Sequence, residues 1–144
     1  LLDPLRLQEL LAADQGDARG LYHLGVMYNR GSGINKDMAK AAAMLLESAK
    51  KGYASGQVAR GDVLQDDEAG GVARDNNEAF SWYRKAAEQG SPSGLQKLGY
   101  MHFMGWGTKK DGPEAERLLR QSAALGDYEA VKDLGRLFNY GVPQ

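Results

Sequence analysis

Apolar residues recur at helical spacing along this chain, in short runs divided by glycine-rich turns. The stretch 31–52 reads GSGINKDMAKAAAMLLESAKKG, with a Gly turn, an Asp, an Ala-rich amphipathic run and a closing Gly. The order returns at 71–90 as GVARDNNEAFSWYRKAAEQG and at 105–126 as GWGTKKDGPEAERLLRQSAALG. In each copy the Asp precedes the closing Gly by 15 residues: Asp37 and Gly52, Asp75 and Gly90, Asp111 and Gly126. The closing glycines at 16, 52, 90 and 126 are 36, 38 and 36 residues apart, and a second Gly follows each by nine, at 25, 61, 99 and 135. A period of this size is the mark of a repeat architecture in which each unit covers its neighbour.

The pattern predicts two helices per repeat. The A helices span about 18–30, 54–65, 92–104 and 128–140, and the B helices about 37–50, 75–88 and 111–124. Inward A positions carry Leu21, Leu24, Met27 and Tyr28, then Leu95, Leu98, Met101 and His102, then Val131, Leu134, Leu137 and Phe138. Inward B positions carry Ala41, Leu45, Ser48 and Ala49, then Ala79, Tyr83, Ala86 and Ala87, then Ala115, Leu119, Ser122 and Ala123, with Met44, Trp82 and Leu118 at one further shared position. Gln57 and Arg60 stand at two inward places of the second repeat that are otherwise apolar. Residues 1–17 read as a B-type helix opened by Asp3 and Pro4 and ended by Gly16.

Turn chemistry supports these bounds. Each closing Gly suits a left-handed position just past a helix end. The nine-spaced Gly falls inside the next helix, where it costs roughly 1 kcal/mol relative to Ala, so it implies close approach of a partner helix. Asp75 with Glu78 and Asp111 with Glu114 have capping-box spacing, while Asp37 is a simple cap. The A-to-B connection of the second repeat, residues 66–72, is two residues longer than its sisters and acidic. Deleting Ala69 and Gly70 would restore the sister length, so tolerance is expected. Asp66-Asp67-Glu68 carries oxygen donors for a cation, but a solvated loop is the simpler reading.

The nine-spaced Gly pair, the G-x-G-[VI] turn, the Asp cap and the A-x-x-[WML]-x-x-x-[AS]-A-x-x-G helix together resemble Sel1-like repeats, a tetratricopeptide-like class. The resemblance covers nearly the whole chain. It implies an all-α, right-handed α/α superhelical solenoid with about three full repeats and a half repeat at each end, forming one domain over 1–144. The segments are 1–17, 18–52, 53–90, 91–126 and 127–144. It further implies a bacterial adaptor without catalysis, periplasmic or cytoplasmic, that binds a protein such as a secreted effector or an envelope component. Some immunity proteins against secreted toxins look similar. The alternative is a hydrolase or a small-ligand binder like the cysteine-rich branch associated with β-lactams, from which this chain departs in having no Cys.

Tetratricopeptide-like geometry puts the A helices on the concave wall. Transferred to this chain, the partner-binding face takes Arg19, Tyr22, Val26 and Arg30, then Asp62 and Asp66, then Gln96, Tyr100, Phe103 and Met104, then Arg136 and Tyr140. Its ends are then basic, with Lys132 adding to Arg136, and its centre is acidic. Trp106, in a Gly-flanked turn, is either a contact residue or a lid folded over its own repeat.

Charge and chemistry remove other classes. Lys plus Arg is 18 against 19 for Asp plus Glu, a balance that argues against nucleic acid or an anionic membrane as partner. No apolar run reaches the roughly 20 residues of a membrane span. The two His do not cluster, and His102 holds the place of Tyr28 and Phe138, as a packed imidazole would. Gly90-Ser91-Pro92-Ser93-Gly94 has Pro where a nucleophile elbow needs Ser, and Gly105-Trp106-Gly107-Thr108 lacks the Gly-Lys-Ser/Thr ending of a P-loop. No catalytic group, metal site or cofactor is expected.

Overall fold

The computed structural model describes residues 3–67 and 69–139. Among them are eight α-helices, one 3-10 turn and no strand. The chain divides into two compact units, residues 1–75 and 76–144. The first holds α1 (Pro4–Asp14), α2 (Ala18–Arg30), α3 (Met38–Lys50), α4 (Ala54–Gln65) and the short turn Ala69–Gly71. The second holds α5 (Asn76–Glu88), α6 (Pro92–Met104), α7 (Gly112–Ala124) and α8 (Tyr128–Asn139). The punctuated sequence thus placed the helix bounds to within a residue.

Each B-to-A corner is built the same way. The closing glycines Gly16, Gly52, Gly90 and Gly126 all have positive φ. In the first corner the Gly16 N–H donates to the Ala13 carbonyl and the Asp17 N–H to the Ala12 carbonyl, the paired bonds of a Schellman motif, and the other three corners repeat the pair. The residue after the glycine then opens the A helix. Asp17 accepts from the Gly20 N–H and Ser91 from the Gly94 N–H, both at 3.1 Å. Helix end and helix start are joined with no slack.

In the pairs α2–α3 and α6–α7, helix A is held to its own helix B at both ends. The N–H of the capping Asp donates to the carbonyl of an equivalent A-helix residue: Asp37 to Tyr28, Asp75 to Leu64, Asp111 to His102. At the other end the Ser48 hydroxyl donates to the Ala18 carbonyl and the Ser122 hydroxyl to the Pro92 carbonyl, each at 2.7 Å. Between these ties lies the apolar seam. In the first unit it contains Leu24, Met27, Ala41, Leu45 and Leu64, and in the second Tyr83, Leu95, Met101, Leu119 and Leu137, all buried. Gln57 and Arg60 take their inward places and are buried too. The Gln57 amide donates to the Ala49 carbonyl, while Arg60 Nε makes no hydrogen bond.

Two families of glycine permit this packing. A Cβ on Gly25 would come to 2.9 Å from a Leu45 methyl, and one on Gly99 to 2.9 Å from Leu119 Cγ, as the nine-spacing implied. The tighter set is Gly20, Gly56 and Gly94, four residues after the first three closing glycines. There a Cβ on Gly20 would meet the Ala13 backbone nitrogen at 2.7 Å, and one on Gly94 the Ala87 nitrogen at 2.8 Å. These contacts are with the preceding B helix, and backbone cannot step aside.

Four expectations change. The second connection is not a loose loop: Gly70 has φ 62° and lies against the Met38 carbonyl at the start of α3. In the second unit Gly107 lies the same way on Asn76 and Phe80. Deleting Ala69 and Gly70 should therefore destabilise the fold. Gly70→Ala alone should cost about 1–3 kcal/mol, since it forces a left-handed alanine into that contact, and thermal unfolding will measure it. Val131 and Phe138 are 49% and 52% exposed instead of inward. The Asp111 capping box is half made: Asp111 accepts from the Glu114 N–H, but its own N–H is taken by His102 and the Glu114 carboxylate pairs with Arg117. The Asp75 N–H is likewise engaged by Leu64.

Candidate protein-binding face

In the first unit α2 and α4 flank a cavity of about 250 Å³ floored by Met38 and Leu45 of α3. It gathers Tyr22, Val26, Arg30, Asp62 and Asp66, five of the residues named from sequence, together with Asn29. The Tyr22 ring is held edge-on by Tyr53, at 5.5 Å between centroids, and by His23 at 5.2 Å. Tyr53 opens α4, so this aromatic contact links the two walls. The wall therefore presents a fixed phenol, an apolar floor and charges of both signs.

Arg19 is not part of that cavity. It borders a shallower hollow between α1 and α2, with Glu9 and His23. His23 Nδ1 lies 3.8 Å from a Glu9 carboxylate oxygen, a pairing that sequence reasoning missed. A signal existed: Glu9 stands seven residues before Gly16, where the other B helices carry Leu45, Tyr83 and Leu119.

In the second unit Tyr100 is the centre of an aromatic group. Phe103 lies 6.2 Å from it in a tilted arrangement and Trp106 meets it edge-on at 5.7 Å, all three half-buried, with half-buried Met104 on the same helix. Trp106 thus packs on Tyr100 of its own repeat while staying half-exposed. Gln96 does not face outward: it is 9% exposed, and its amide donates to the buried Asp133 carboxylate at 2.5 Å. Arg136 donates to the other oxygen of Asp133 at 2.7 Å. Lys132 pairs with Glu129 at 2.8 Å, and that bond holds the Glu129 carboxyl below the usual carboxylate range and raises Lys132. The basic end expected from Lys132 and Arg136 is thus largely compensated by i,i+3 partners. Tyr140 and Glu68 lie outside the described residues.

On the other side of the second unit a cleft of about 330 Å³ is lined by Phe80, His102, Glu114 and Arg117. His102 is half-buried and edge-on to Phe80 at 5.4 Å, with Nδ1 buried and unpartnered. Arg117 donates to both oxygens of Glu114, at 2.9 and 2.6 Å, and this holds the Glu114 carboxyl below its ordinary range. Among the described residues no three His, Cys, Asp or Glu side chains meet as a metal site. None of the described helices is long and apolar enough to cross a membrane.

Paired antiparallel helices, glycine corners and an A-helix face with a cavity define an α/α repeat protein. The chain belongs to the Sel1 repeat family, whose pattern matches residues 18–53, 54–91 and 92–127. It is similar to a protective antigen of uropathogenic Escherichia coli with an SLR fold, at 32% identity and a TM-score of 0.82, covering 91% of this chain and 28% of that one. A Sel1 repeat protein from Oxalobacter formigenes is 29% identical with a TM-score of 0.77, covering 90% of this chain and 96% of that one. Helicobacter pylori cysteine rich protein B shares the fold, with a TM-score of 0.66 at 22% identity over 88% of this chain and 89% of that one. A chitin synthase regulator of Malassezia restricta is 30% identical over 135 residues, 92% of this chain but only 9% of the regulator's length. Sel1 repeat proteins are generally protein-interaction modules.

Proposed function

We propose that residues 1–144 act as one non-catalytic domain whose A-helix faces grip a segment of a partner protein, as a bacterial adaptor or as an immunity protein covering a secreted toxin's active site. The observation that carries this reading is the α2–α4 cavity, in which Tyr22, Val26, Arg30, Asp62 and Asp66 converge on an apolar floor. Tyrosine and arginine are both enriched among interface hot spots, and mixed charge suits a protein segment better than a phosphate polymer. Tyr100, Phe103 and Trp106 give the second unit an aromatic contact of the same kind.

Segments of twelve residues selected from a random display library against the intact chain supply the probe. Tyr22→Ala with Val26→Ala, or Tyr100→Ala with Phe103→Ala, should weaken the selected segments at least about thirtyfold, roughly 2 kcal/mol on the hot-spot scale. Lys85→Ala with Glu88→Ala, on a B helix, should bind normally. The opposite ranking overturns the reading. So does chromogenic β-lactam turnover that purification preserves and an A-face variant abolishes.

A further inference from the structure

The α2–α4 cavity differs from its counterpart on α6 and α8. In the second unit Gln96 of α6 and Arg136 of α8 both donate to Asp133, which is 2% exposed. Counted from the closing glycines, the same positions in the first unit hold Tyr22, Asp62 and Ala59. The α4 wall therefore has a carboxylate where α8 has its guanidinium, and only a methyl where α8 has Asp133. The ends of the A helices differ in the same sense. Helices α2, α6 and α8 carry Arg30, His102 and Arg136 in the last turn, where the helix dipole favours a cation. Helix α4 carries no basic residue there; it has Asp62 in its last turn and Asp66 as its C-cap. Both acids oppose the dipole, and at i,i+4 spacing they repel each other. Both line the cavity, against the single guanidinium of Arg30. A cation placed between them relieves both costs.

We propose that the cavity takes an arginine side chain of the partner segment, an inference that rests on the A-helix reading above. Its methylene stem lies on Val26, Leu45 and Val63, which line the cavity, and its guanidinium lies between Asp62 and Asp66 beside the Tyr22 ring. Size supports a single side chain: about 250 Å³ is less than the roughly 300–1,000 Å³ of pockets that enclose a drug-sized ligand. The guanidinium fork meets two carboxylates at once and stacks on an aromatic face, whereas a lysine ammonium is a point charge. The walls come from α2, α3 and α4 alone, so the site is complete within the first unit.

The probe is acetyl-Ala-Arg-Ala-amide titrated into the isotope-labelled intact chain and read by amide chemical shifts, with the citrulline and glutamate tripeptides as controls. The arginine peptide should give saturable shifts in Tyr22, Val26 and residues 62–66, with affinity at least about fivefold above that of the citrulline peptide, as one exposed ion pair allows. Asp62→Asn with Asp66→Asn should bring the arginine peptide to the citrulline level. The same variant should melt at or above the wild-type temperature, because no carboxylate then opposes the dipole, and this separates lost binding from lost fold. Three results overturn the proposal: no saturable shift in those residues, equal shifts from the citrulline or glutamate peptide, or undiminished arginine binding by the Asp variant. The wider reading fails separately. Library-selected segments that need Tyr22 and Val26 but bind the Asp variant normally would remove the arginine and leave the A-helix face standing.

Discussion

Trp82→Ala is expected to cost about 3–5 kcal/mol of folding stability. The indole is 9% exposed on a helix whose neighbouring Ala79, Tyr83 and Ala86 are fully buried. Its Nε1 donates to Glu78 at 3.4 Å, and the Lys85 ammonium sits 4.4 Å from the ring centre. Of the three residues at this position it is the largest, the others being Met44 and Leu118. Truncation leaves a void that fully buried neighbours cannot fill, so transfer and cavity losses add. Urea unfolding by circular dichroism gives the number, and Trp82→Phe should recover most of it. A loss under about 1 kcal/mol would contradict the packing described.

Gly94→Val should be as severe, and Gly135→Val should be nearly silent. Both are helical glycines, so the intrinsic change from Gly to Val slightly favours the mutant at each site. What differs is the space. At Gly94 a Cβ would come to 2.8 Å from both the Ala86 Cβ and the Ala87 nitrogen, so α5 and α6 must separate. Overpacking of that kind costs typically about 1–3 kcal/mol and more where backbone must move. Differential scanning calorimetry on the pair isolates helix approach from propensity. Equal melting temperatures would mean that close packing on the preceding B helix contributes little.

The helix bounds were legible because local chemistry sets them: a left-handed glycine ends each B helix and an Asp opens the next. Apolar spacing likewise named the seam from Leu24 to Leu137. Less legible was anything decided by a distant partner. Gln96 has the spacing of a surface residue, but its amide meets Asp133, 37 positions away. Arg136 and Lys132 are a different case: each pairs with an acid three residues earlier on its own helix, a spacing that the sequence already displays. Gly70 reads as loop slack until the Met38 carbonyl is seen against it. Apolar periodicity marked Val131 and Phe138 as one face without saying what covers it. Of the residues named for the A-helix face, those on α2 and α4 are the ones that meet in one cavity, because both helices repeat one spacing.

The central claim is that the A helices carry the partner. Hydrogen–deuterium exchange of the intact chain, with and without a library-selected segment, tests it most directly. The account predicts slowed exchange in residues 22–30 and 62–66, or in 96–106, with the B helices α3, α5 and α7 unchanged. Protection confined to α3, α5 and α7 would contradict it.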